Sequence, residues 1–154
     1  MEEQIKIDSL PEKSPLWIGA NIAGGVMLII FLVRFIGGII LGPFFSKNII
    51  LSIIFGTILL LIGSYFGSIF GVRYVTKRAK INIEKIKSIS IVAAVVPFLF
   101  LLLWVGLDIY TSLSGVEKFV FPLESLIATV IVAIVTFFLV RNTLQKFCRI
   151  SKQA

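Results

Sequence analysis

The chain has 154 residues, a mean hydropathy of +1.05, 58% hydrophobic residues and only 15% charged residues, against about 25% charged in an ordinary soluble domain. A soluble fold of this size cannot hide so much apolar surface, whereas a bilayer covers it. The net charge of +7 does not point to nucleic acid, because the charges lie between long apolar runs and not on a soluble face.

With one cysteine and no histidine, the chain has no intrachain disulfide and lacks the commonest general base and metal ligand. The sequence carries no Walker loop, dinucleotide fingerprint, HExxH or GxSxG, and no close carboxylate pair. The expectation is a protein that is not an enzyme and takes no cofactor or metal.

Residues 1–15 are polar and read as a short tail or interfacial segment. The start is acidic (Glu2, Glu3) and the apolar run behind it is long, so it is not a signal peptide. A first span is expected over about 16–41, ended by Gly42-Pro43. A second follows over about 49–72, then a basic loop at 73–87. A third covers about 88–107, with a helical turn reaching back to Ile83 and Asn82 as its cap. The fourth covers about 121–140, with Pro122 in its first turn, and 141–154 reads as a tail. Four runs of about twenty residues are too long for strands and lack barrel alternation. The fold class is all-α: a polytopic integral membrane protein, a single four-transmembrane-helix bundle.

The basic residues set the orientation. Arg73, Lys77, Arg78, Lys80, Lys85 and Lys87 follow span two, Arg141, Lys146, Arg149 and Lys152 follow span four, and Lys6 and Lys13 precede span one. Four spans put these twelve on one side and leave only Lys47 and Lys118 on the other. The N- and C-termini are therefore expected in the cytoplasm and the chain in the cell membrane. Trp17, Tyr74, Trp104 and Tyr110 fall near span ends, as interfacial aromatics do.

Small residues mark where membrane helices meet. Span two carries Ser52, Gly56, Gly63, Gly67 and Gly71, and the last three glycines recur every fourth residue with Ser64 and Ser68 beside them. The same reasoning gives span one an inward face of Ala20, Gly24, Met27, Arg34 and Gly38. Span three offers Ser90, Ala94, Pro97 and Asp108, and span four Ser125, Thr129, Ala133 and Thr136. The glycine series has two readings: packing inside one bundle, or a seam between identical subunits.

Arg34 is the one charge inside a span. An arginine at a helix centre costs about 2.5–3.5 kcal/mol on insertion scales, and a span ending at Leu41 puts it about 10 Å inside the outer boundary. Three readings stand: snorkelling to the headgroups, an ion pair with Asp108 or Glu124, or an anion site. The 73–87 loop has two, a topology determinant or a contact surface for anionic lipid headgroups. Cys148 is either a lipidation site or a plain small residue.

The four-span layout is shared by several families of small membrane proteins, and no motif ties the chain to one of them. The expected function is that of a non-enzymatic structural or accessory subunit, partnered by the bilayer and by an unlike membrane subunit. The alternative is a transporter, translocase or pore built as a homo-oligomer.

Overall fold

The computed structural model describes residues 10–45, 49–113 and 123–153. Its helices are α1 (Pro15–Phe45), α2 (Ile49–Thr76), α3 (Ile86–Leu113) and α4 (Leu123–Gln153), with a 3-10 turn at Ile83–Lys85 leading into α3. Each gives a stretch long and apolar enough to cross a membrane, the third taking in the 3-10 turn: Pro15–Gly37, Ile54–Thr76, Ile83–Leu107 and Leu126–Cys148. The protein is a multi-pass, all-α, four-helix membrane bundle. In hydrocarbon every amide must find its partner within its own helix, so apolar runs of this length coil.

The helices run past the expected span ends, α2 to Thr76 beyond about 72 and α3 to Leu113 beyond about 107. Helix α1 does not stop at Gly42-Pro43 but runs through them to Phe45. A proline disturbs the turn before it, and so near a helix end it displaces the stop by only a few residues. Helix α4 continues thirteen residues beyond Val140, so the segment read as a tail is helix, and Val140, Leu144 and Cys148 are buried on one stripe of it. Spacing by four keeps that stripe on the bundle even where polar residues fill the other faces. Helix α3 passes through the buried Pro97 without interruption. Pro122 lies outside the described residues. The expected cap is present: Asn82 is extended and its side-chain oxygen accepts from the Glu84 amide at 3.0 Å.

Each helix packs on two others, in the order α1, α2, α4, α3 around the bundle. Helices α2 and α3, consecutive in the chain, therefore stand diagonally opposite, and residues 77–85 cross the end of the bundle between them. The core draws on all four helices, with Ile18, Ile22 and Val26 from α1, Val72 and Val75 from α2, Ile89 and Ala93 from α3, and Val132, Val140 and Leu144 from α4. The Ser64 and Ser90 hydroxyls donate to the carbonyls four residues earlier, Leu60 and Ile86, each at 2.8 Å. Ser68 and Thr136 are fully buried, with no hydrogen-bond partner for either hydroxyl oxygen.

The closest approach is between α1 and α2. A Cβ built on Gly63 would lie 2.7 Å from the Ile30 Cα, one on Gly67 2.6 Å from the Val26 Cα, and one on Gly71 2.8 Å from the Ile22 carbonyl oxygen. Each step of four residues down α2 meets a step of four up α1, so the three glycines lie against the α1 backbone at Ile30, Val26 and Ile22. The inward face of α1 includes Ile18, Ile22, Val26 and Ile30, whereas Ala20 and Gly24 are exposed. The sequence reading placed small residues on that face, but the glycines of α2 alone provide the close approach to bulky positions of α1. Gly25 fits the same seam, its Cβ position 3.0 Å from the Gly71 Cα. Gly56 does not: a Cβ there would meet nothing within 4 Å. Ser52, Gly38 and Ser125 have side-chain positions outside the described residues.

Candidate functional site

Two places gather polar chemistry, one at each end of the bundle.

The first lies where the N-terminal segment meets the α2–α3 connection. The Lys80 amide donates to the Pro11 carbonyl at 3.2 Å, and Glu12 and Lys80 form an isolated parallel β-bridge. The Lys85 ammonium donates to the Glu12 carboxylate at 2.5 Å. Residues 10–14, read from sequence as part of a loose tail, are therefore tied to the loop. An open, polar recess of about 470 Å³ lies between them, lined by Glu12, Lys80, Ile81, Asn82, Ile83 and Glu84. The hydrogen bond from Lys85, and then its charge, hold the Glu12 carboxyl below the usual carboxylate range.

This tie has a calculable pH sense. A carboxyl whose folded pKa lies below its unfolded one adds stability above the unfolded value and loses it as pH falls through the folded one. The contact is therefore fully formed at neutral pH and loosens in acid, below the ordinary carboxylate range. Amide exchange at Lys80 reads this directly. Glu12→Gln at neutral pH is expected to bring the Lys80 exchange rate to the value the wild type shows in acid. An unchanged rate would show that the backbone bridge alone holds the segment.

The basic residues of this end are mostly solvent-facing. Arg73, Lys77, Arg78, Lys80 and Lys87 are exposed and Lys85 is half-buried. Arg78 lies over the Tyr74 ring at 4.4 Å and Lys13 over the Trp17 ring at 5.7 Å, within cation–π range. Cys148 is buried in the core of α4, which sets it apart from the exposed thiol that lipidation requires.

The second place is a groove between α1 and α3, about 360 Å³, and Arg34 lines it. Phe31, Phe35, Pro97, Phe100, Leu101 and Trp104 line it as well. Arg34 is exposed, as are Phe31, Phe35, Phe100 and Trp104, so the groove opens on the outer surface of the bundle. Arg34 on α1 and Trp104 on α3 line the same groove. The described acidic side chains, Glu12 and Glu84, both belong to the opposite end. Asp108 on α3 and Glu124 on α4 have side chains outside the described residues. Among the described residues the groove that Arg34 lines has aromatic walls, and no carboxylate lines it.

No family model, no curated protein and no solved structure matches this chain. The site must be read from its own residues. Among the described residues no group of three or more Cys, Asp or Glu side chains converges as metal ligands would.

Sequence reasoning singled out Arg34 but missed its setting. Trp104 read as an interfacial aromatic, Phe31, Phe35 and Phe100 carried no mark, and only the packing of α1 beside α3 brings them to one groove. It also missed Glu12 as the partner of Lys85, since the two are 73 positions apart and nothing local links them. One signal was available and unused. Asn21 is polar inside the first apolar run, and its side chain donates to the Trp17 carbonyl at 2.8 Å.

Proposed function

We propose that this chain is a small non-enzymatic integral membrane protein, an accessory or structural subunit of a membrane assembly. It sits in the cell membrane with both termini and the 77–85 connection on the cytoplasmic side. One observation carries the reading: the bundle interior is filled from all four helices. Ile22, Val26, Val75, Ile89, Ala93, Val132, Val140 and Leu144 have no exposed surface, and such packing leaves no space for a solute path between these described residues. What the protein offers to others lies on its outside. A Cβ on Gly24, Gly56 or Gly106 would meet nothing within 4 Å, and an open glycine on a lipid-facing surface is where another helix approaches closely. The twelve-to-two bias of basic residues supports the orientation.

The test is native mass in mild detergent, together with accessibility tags on both termini. The expected particle contains one copy of the 17.1 kDa chain, and both tags react only when the cytoplasmic side is opened. A defined ring of identical subunits would overturn the accessory role in favour of a homo-oligomeric pore or transporter, whose path would run between subunits. Tags reporting from opposite sides would overturn the orientation.

A further inference from the structure

We infer that the α1–α3 groove is a binding site for one anionic phospholipid, its phosphate held by Arg34 and one acyl chain laid along the apolar floor. The lining is graded as an amphiphile is. Toward one end of the groove stand Arg34 and Trp104, both exposed. Seven residues deeper on each helix stand Met27 and Pro97, about 10 Å toward the middle of the bundle at 1.5 Å per residue. Everything between is hydrocarbon or aromatic ring. An arginine presents five donors in a flat fork that fits a phosphate with two parallel hydrogen bonds. A tryptophan at the interface satisfies its N–H toward water or headgroup while its ring faces chains. The groove opens to the surroundings of the bundle, where lipid is the ligand always at hand.

Charge decides the class of occupant. Arg34 is the one charged side chain among the described residues that line the groove, and it favours a lipid with net negative charge over a zwitterionic one. An apolar helix of a partner would fill the floor but would leave the guanidinium facing hydrocarbon, which is costly. With the orientation proposed above, the lipid belongs to the outer leaflet. The site itself does not depend on that orientation or on the accessory role.

The experiment uses the two-tryptophan content of the chain. Trp17→Phe leaves Trp104 as the sole indole, inside the groove. The full-length protein is placed in phosphatidylcholine nanodiscs doped with phosphatidylglycerol or phosphatidylcholine carrying brominated acyl chains, which quench by contact. The expected result is half-quenching by the brominated phosphatidylglycerol at about fivefold lower mole fraction, the effect of one basic side chain on an anionic headgroup. Arg34→Gln should remove that preference. Leu101→Phe, which narrows the floor while keeping the charge, should also remove it, so the test survives if one variant fails to fold. Excess inorganic phosphate should leave the wild-type preference intact. Equal quenching by the two lipids would overturn the site, as would a preference that persists in both folded variants. Erasure of the preference by inorganic phosphate would assign the arginine to a free anion and overturn the lipid. Native mass and terminal accessibility are read separately, so failure here leaves the accessory role standing or falling on its own evidence.

Discussion

Replacing Gly67 with leucine is expected to prevent α1 and α2 from docking and to abolish accumulation of the folded monomer. The Cβ of any larger residue would sit 2.6 Å from the Val26 Cα, 3.1 Å from the Val26 carbonyl oxygen and 3.2 Å from the Gly25 carbonyl oxygen. All three are backbone atoms, and none moves without moving the helix. Alanine alone should cost about 1–3 kcal/mol through overpacking, and leucine, with three more carbons to place, considerably more. The same change at Gly56 meets open space and should leave the particle unchanged. The measurement is monomer yield and thermal stability by size-exclusion fluorescence in detergent. The pattern also separates the two readings of the glycine series. A seam between subunits would let Gly67→Leu accumulate normally as a smaller native species. Normal yield together with unchanged mass would refute both readings.

A second large effect is expected at Leu144. Read as part of a cytoplasmic tail, this residue should tolerate any change. In the structure it is fully buried, in the same core cluster as Val75, Ala79, Ile86 and Cys148. Truncation to alanine removes three carbons from a filled site and should cost about 2–5 kcal/mol, depending on how far the surroundings collapse. Asn142, two residues earlier and exposed, is the matched control, and Asn142→Ala should be silent. Thermal unfolding in a single detergent compares them. If Leu144→Ala and Asn142→Ala melt together, the last three turns of α4 are not packed on the bundle. The reason to expect otherwise is geometric. Val140, Leu144 and Cys148 repeat every four residues, and each is buried, as one face of a helix laid against a neighbour must be.

These two sites mark where the reasoning from residues was sound and where it was not. For α2, the sequence alone picked out Gly63, Gly67 and Gly71, because glycine in an apolar helix has few uses besides close approach. It could not say that Gly56 is left facing open space, since a glycine on either side of a helix looks the same until the partner is in place. For α1, it chose Ala20 and Gly24 for the inside, and both are exposed. Inside a membrane, hydrophobicity no longer tells core from surface. Isoleucine suits lipid and protein interior equally well, so the stripe of Ile18, Ile22, Val26 and Ile30 carried no local mark. The same loss of contrast hid Phe31, Phe35 and Trp104 as the walls of the Arg34 groove.

Length was enough, without any coordinates, to establish four apolar helices, because in hydrocarbon each amide must find its partner within its own helix. Only the packed bundle decided which side of each helix meets another, since that depends on the shape of the facing surface. It placed α2 diagonally across from α3, brought the α1 backbone against the glycines of α2, tied Glu12 to Lys85 and set Arg34 in a groove with aromatic walls. Contacts of that kind join residues far apart in the chain, and no local pattern encodes them.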